Sequence, residues 1–270
     1  MIYGYSQITM NSKSKEIYRG LYTLSVKEIR RFLRIWLQTL LPPAVTMSLY
    51  FVIFGSLIGP RLNSMIEGLD YIQFMIPGLV MLSVITNSYS NVVSSFFGVK
   101  FQKSIEELLI SPMPNLIILT GFIVGGVARG VLVGLIVYAV SLFFYPDFNI
   151  VNPLLTITVL LLTSIFFSIL GFLNAIYADT FDDISVIPTF VLTPLIYLGG
   201  VFYPISVLTP FWQNVSLANP MLYVVNTFRE GMLGVSDIST SFSLIMLVVF
   251  ILLFGSLALY LLKKGTGTRQ

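Results

Sequence analysis

The chain has 270 residues, 56% of them hydrophobic and only 10% charged, with a net charge of +3. Soluble domains carry about 25% charge, so this composition belongs to an all-α integral membrane protein without a sizeable soluble domain. There is no cysteine and no histidine, which excludes disulfides, thiol nucleophiles, a Ser-His triad and a histidine-ligated metalloprotease centre; no metal site is expected.

Residues 1–36 form a first segment that carries no signal-peptide core followed by a small-residue cleavage site, so no cleaved leader is expected. Ile29, Phe32, Leu33 and Trp36 fall at i, i+3, i+4 and i+7, one helical face. Lys27, Arg30, Arg31 and Arg34 lie mostly around the rest. The pattern predicts an interfacial helix lying on anionic lipid before the chain enters the membrane. A basic flank that only fixes topology is the plainer alternative.

A bilayer core of about 30 Å needs about 20 apolar residues as helix. Six runs approach that length, at about 37–58, 71–93, 116–144, 154–177, 184–202 and 242–262. They make one membrane domain, 37–262, followed by a short tail, 263–270. The third run is long enough to tilt. The fifth is barely long enough and is interrupted by Pro188 and Pro194. With both termini placed in the cytoplasm, twelve lysines and arginines lie inside and two, Arg61 and Arg229, outside. That asymmetry sets the expected orientation.

Between the second and third runs lies a polar island, "KFQKSIEELLISPMPN", Lys100 to Asn115. Glu106 and Glu107 stand beside Ile105, Leu108, Leu109 and Ile110. Ser104 is placed to cap the start, and Pro112 and Pro114 to stop it. A short cytoplasmic helix with an apolar and an acidic side is expected. It serves either as a docking element or as a solvated turn.

Arg129 alone lies within a predicted span. Such an arginine costs about 2.5–3.5 kcal/mol on insertion scales, so it must face a polar interior, a pathway where it could touch substrate, a partner or an interface. Asp179, Asp182, Asp183 and Glu230 are the acids available to it. On the same run, Gly121, Gly125 or Gly126, Gly130 and Gly134 recur at four- to five-residue steps, spacing that lets helix backbones approach closely. Whether the neighbour is another span or another copy stays open here.

Asp179, Asp182 and Asp183 mark a helix start, where carboxylates oppose the positive dipole end. Pro188 and Pro194 then favour kinks, in either a bent packing helix or a flexible pathway wall. Tyr203 to Ser241 is too apolar to hang in water and too broken by Pro and Asn to span. Short outer re-entrant helices between spans 5 and 6 are expected there. No Gly-x4-Gly-Lys-Ser/Thr loop occurs, so any nucleotide must sit in another subunit.

Three stretches then carry a family resemblance: "SIEELLISPMP", "RRFLRIWLQTLLPP", and "DDISVIPTFVLTPLIYLGGVFYPISVLTPFWQNVSLANPMLYVVNTFREGMLG". Together they resemble the membrane subunit, or permease, of type-2 ABC exporters, over about residues 17–264. The resemblance implies six spans per subunit and a homodimer around a central route in the bacterial inner membrane. It also implies two cytoplasmic ATPase subunits that hold the ATP and Mg, with no cofactor in this chain. Ser104, Ile105, Glu106, Glu107, Leu108, Leu109 and Ile110 would form the coupling helix that docks in the ATPase. Pro188, Pro194, Tyr197, Phe202 and Tyr203 become candidates for pathway wall or gate. The expected function is ATP-driven export of an amphipathic drug, lipid or lipid-linked saccharide, with no nucleic-acid partner. The rivals are an ATP-independent channel or ion-coupled transporter, which would need intramembrane acids, and a membrane-embedded enzyme.

Overall fold

The computed structural model describes residues 2–59, 69–111 and 113–265, with side chains except those of residues 2–14, 56–58 and 109. The described residues form helices and turns, with no strand. The chain opens with α1 (Ile2–Arg34), turns through α2 (Trp36–Thr39) and α3 (Leu41–Tyr50), and runs on as a π-helical stretch, Phe51–Ile58. Next come α4 (Tyr71–Phe101), the short α5 (Ile105–Ile110), α6 (Asn115–Phe144) and α7 (Pro153–Tyr177). A broken segment follows: α8 (Asp183–Ile187), a π-helical turn (Pro188–Leu192) and α9 (Thr193–Tyr197). The last helices are α10 (Pro210–Leu217), α11 (Pro220–Leu233) and α12 (Thr240–Lys264).

Five stretches among the described residues are long and apolar enough to cross a membrane: Trp36–Gly55, Tyr71–Phe101, Asn115–Phe144, Pro153–Tyr177 and Thr240–Lys264. They match five of the six predicted runs. The other run is represented by the apolar helix Asp183–Tyr197. At 1.5 Å per residue it is about 22 Å long, short of a hydrocarbon core. Pro188 opens the π-helical turn, and its carbonyl accepts from both the backbone N–H and the hydroxyl of Thr193, the latter at 2.8 Å. The predicted break is thus absorbed as a local widening of the helix.

The centre of the molecule is α4, most of whose residues are buried. Asp70 and Gln73 cap its start reciprocally, as a capping box does. It packs against α6, α7 and α11. Close approach to α7 depends on Gly171. A Cβ there would stand 2.5 Å from the Tyr89 carbonyl oxygen and 3.3 Å from the Tyr89 Cα. Backbone cannot rotate away, so Gly171→Ala is expected to cost about 1–3 kcal/mol by overpacking. Thermal unfolding in detergent micelles would measure the loss.

The glycine stripe of α6 is occupied by neighbouring helices of the same chain. Gly121 and Gly125 face Leu24 and Glu28 of α1, and Gly126 and Gly130 face Ser168 and Ser88 of α7 and α4. The N-terminal helix is therefore longer than the predicted interfacial stretch and packs on α6. Its buried face is Leu24, Glu28 and Phe32; Leu33 and Trp36 stay exposed.

The region predicted as re-entrant does hold helices. Exposed α10 carries Phe211 and Trp212 on its surface, whereas α11 is buried against α4, α7 and α12. Its end and the start of α7 satisfy each other, with Asn152 N–H donating to the Gly231 carbonyl at 2.8 Å.

Candidate coupling surface and the polar core behind it

Helix α5 sits in the turn between α4 and α6. Lys103, at φ +59, sets that turn in the left-handed region, and its N–H donates to the Lys100 carbonyl at 2.9 Å. Ser104 does not cap the helix as expected: its backbone is already helical, at φ −69 and ψ −8, and its hydroxyl makes no capping bond. The helix ends at Ile110, with Ser111 extended and Pro114 preceding α6. Pro112 lies outside the described residues, as does the Leu109 side chain.

The two faces of α5 are unequal. Ile105 is buried, and Leu108 is half-buried against the core. Glu106 and Glu107 are exposed, as is Ile110. Much of the apolar side is therefore already taken by the chain itself. Among the described side chains, what faces outward is a pair of acids and one isoleucine.

Behind α5 lies α1. A groove of about 320 Å³ runs between them, lined by Arg19, Gly20, Thr23, Leu24, Lys27, Leu108 and Met113. A Cβ at Gly20 would stand 2.6 Å from the Met113 sulfur, so α1 closely approaches the turn that follows α5. Lys100, which the sequence offered as part of the solvated island, turns inward. Its Nζ donates to the carbonyls of Ile176 (2.9 Å) and Ala178 (2.6 Å), closing the end of α7. A cation on terminal carbonyls is favoured by their partial negative charge. The following acids behave as a helix start. Asp183 accepts from the N–H groups of Asp179 and Thr180 at 3.0 and 2.8 Å.

Further in, α1 and α6 deliver charged groups onto a polar stripe of α4. Ser83, Asn87, Asn91 and Ser95 recur every four residues, all buried. The Ser95 hydroxyl donates to Glu28 Oε2 at 2.5 Å. Arg31 Nε lies 3.4 Å from the same oxygen. Arg31 Nη2 donates to the backbone and side-chain oxygens of Asn91 at 2.8 and 2.9 Å. One turn away, Arg129 Nη2 donates to Asn87 Oδ1 at 3.0 Å and to the Thr39 carbonyl at 3.4 Å. The intramembrane arginine therefore meets an asparagine and a carbonyl, and none of the four candidate acids. Thr39 in turn donates to the Phe32 carbonyl at 2.9 Å, tying the end of α1 to the first span.

Of the pathway candidates, Tyr197, Phe202 and Tyr203 come together with Tyr50 and Phe54 of the first span. Tyr203 donates to the Tyr197 carbonyl at 3.0 Å, the Tyr50 and Tyr197 hydroxyls are 3.4 Å apart, and Phe202 lies 5.3 Å from Phe54 between ring centres. Pro188 and Pro194 belong to the helix leading there. The outward side of that helix is apolar and exposed, with Phe190 at 74%. An apolar cleft of about 570 Å³ separates the helix from α7 and α12, lined among others by Phe166, Leu173, Val191, Leu195 and Phe254.

Two buried groups have no counterpart in the sequence reading. Glu28 is fully buried, and its only advance signal is its spacing of four from both Leu24 and Phe32. Arg229, counted from sequence among the outer charges, is 2% exposed. Its Nη2 donates to the Gly200 carbonyl at 2.6 Å and its Nη1 to Asn226 Oδ1 at 3.3 Å, with the guanidinium 3.8 Å from the Phe74 ring centre. It clasps the turn at Gly200, φ +74, to α4. Lysine cannot span both acceptors with a planar fork. Arg229→Lys is expected to lower stability by about 1.5–3 kcal/mol, read as a drop in unfolding temperature in micelles.

Long apolar helices, with a short acidic helix on one inter-span turn, define a polytopic membrane protein. Residues 19–233 match the ABC-2 type transporter family, and the chain belongs to it. It is 53% identical to the inner membrane transport permease YadH of Escherichia coli K12, over 93% of this chain and 97% of that one. It also resembles nodulation protein J of Neorhizobium galegae, 24% identical over 78% and 81% of the two chains, and that of Rhizobium meliloti, 25% identical over 63% and 64%. The chain is therefore a permease-family membrane protein, a transport subunit and not a catalytic one.

Proposed function

We propose that this chain is the permease half of an ATP-driven exporter in the bacterial inner membrane, worked by a separate ATPase. In this reading both termini are cytoplasmic, the Asp183–Tyr197 segment with the following turn makes the sixth crossing, and two copies face each other around the route. The outward-facing Glu106, Glu107 and Ile110 of α5 carry the proposal. A helix buttressed from behind by α1 transmits a push, whereas a loose solvated turn would absorb it.

The ATPase holds ATP and Mg, and closes on ATP. Its motion presses α5, and with it the Met113 turn that follows, against α1 at Gly20. The Glu28–Arg31 contact with α4 then carries the displacement to the spans. Tyr197, Phe202 and Tyr203 form the part of the wall that must separate from Tyr50 and Phe54. The cargo is amphipathic: a drug, a lipid or a lipid-linked saccharide. The five spanning helices contain no aspartate or glutamate, which argues against an ion-coupled carrier.

The test is purification of the tagged chain from its native host, followed by reconstitution. The chain is expected to bring down a nucleotide-binding subunit and to move amphipathic dyes only with ATP present. Steady transport by the chain alone in liposomes without ATP would overturn the reading.

A further inference from the structure

At the end of α1 a second cleft opens, of about 460 Å³, lined by Lys27, Arg30, Arg31, Arg34 and Ile35. Four of its five lining residues are cationic and none is acidic. The nearest carboxylate in sequence, Glu28, is fully buried beneath the cleft wall, 3.4 Å from Arg31 Nε and accepting from Ser95. Lys27, Arg30 and Arg34 form no ion pair among the described residues. Arg31 differs from them. Asn91 and Glu28 fix it from the protein side, so one wall of the cleft carries a cation whose position is set before anything binds. Glu28 offsets the charge of Arg31, which leaves Lys27, Arg30 and Arg34 uncompensated around one hollow, and an anion seated among them removes their mutual repulsion.

The neighbours of the cleft are apolar and uncovered. Leu33, Ile35, Trp36, Leu37 and Leu41 are 42%, 42%, 52%, 57% and 46% exposed. They lead directly into the first span, which begins at Trp36. The same corner thus offers a basic hollow and a greasy ramp, a match for a molecule with an anionic head and hydrocarbon chains.

We infer that this cleft is a discrete binding site for the phosphate of an anionic glycerophospholipid drawn from the surrounding leaflet. Arg31 is its fixed cation, Arg30 and Arg34 close over the phosphate, and Trp36 and Leu37 run beside the acyl chains. This goes beyond a basic helix attracted to a charged surface, because it requires one lipid per chain at one place. It is independent of the exporter reading. An occupant there braces the corner where Thr39 joins α1 to the first span.

The test uses the full-length chain in mild detergent, followed by native mass spectrometry and thermal unfolding. Phosphatidylglycerol, phosphatidylcholine and inorganic phosphate are added separately. One phosphatidylglycerol is expected to stay bound per chain and to raise the unfolding temperature, with phosphatidylcholine and phosphate having little effect. Arg30→Gln with Arg34→Gln is expected to weaken that binding by on the order of tenfold or more, given the strength of surface cations toward anionic lipid. Lys263→Gln with Lys264→Gln, which removes the same charge from the exposed end of α12, is expected to leave it intact. Equal losses in the two double variants would mean diffuse attraction and would overturn the site. So would equal binding of the two lipids, a response to inorganic phosphate as large as that to phosphatidylglycerol, or protection of the cleft arginines by the ATPase subunit alone.

Discussion

Reversing both acids of α5, Glu106→Arg with Glu107→Arg, is expected to abolish ATP-driven transport and to strip the ATPase from the chain, while leaving the permease folded. Both side chains are exposed and form no ion pair among the described residues. Arginine favours helix about as much as glutamate. The local penalty is limited to placing cations in a first turn that now holds two acids, about 0.3–1 kcal/mol each at the positive dipole end. Across an interface the account differs. Like charges brought together there cost several kcal/mol, and 1.4 kcal/mol is already tenfold in affinity. Association is therefore expected to fall by at least about a hundredfold. Glu106→Gln with Glu107→Gln, which only removes charge, should fall between. The measurements are pull-down of the ATPase, ATP-dependent transport in vesicles, and the unfolding temperature of the permease alone. If the reversed variant still binds and transports normally, α5 is not where the two subunits engage.

Much of this architecture is legible in the chain because hydrocarbon imposes a strong pattern. Five long apolar runs became five long apolar helices. The stripe from Gly121 to Gly134 announced close contacts, since only a missing Cβ lets α1 and α7 come so near. Pro188 announced a break, and the π-helical turn is there. The interior polar groups were harder to read. A search for a partner of Arg129 goes naturally to acids, but Asn87 satisfies it through an amide oxygen, and an amide carries no charge by which to find it. The clue was the four-residue recurrence Ser83, Asn87, Asn91, Ser95 inside an apolar run, one polar edge along a buried helix. Glu28 was masked by the cations around it, because an amphipathic basic segment reads as a surface. Arg229 was masked in the same way, by sitting in a stretch too broken to be taken for core. Its neighbours Val224, Val225, Phe228 and Met232 mark the buried side of α11, and Arg229 follows them inward to reach Gly200.

Glu28→Ala is expected to be among the most damaging single substitutions in the half of the molecule that holds α1 and α5. The carboxylate is fully buried. It accepts from Ser95 and faces Arg31, so its removal strands both. Breaking a buried ion pair from one side costs about 3–5 kcal/mol. The lower end applies here, about 3 kcal/mol, because the Arg31 side chain keeps 31% of its exposure and retains its bonds to Asn91. Glu28→Gln preserves the acceptor for Ser95 and loses only the charge, so its cost is expected to be smaller. A second change separates the pair from the packing. If Arg31→Ala is added to Glu28→Ala, the double variant should be less damaged than the two single losses summed, since the stranded cation has gone. Unfolding temperatures of the four proteins in one detergent give the coupling directly. Transport adds an independent readout. With α1 loosened from α4, ATP hydrolysis by an attached ATPase is expected to continue while movement of cargo falls, because the push from α5 no longer reaches the spans. A Glu28→Ala protein that melts like the parent and transports at the parent's rate would show that this contact neither holds α1 in place nor carries motion through it.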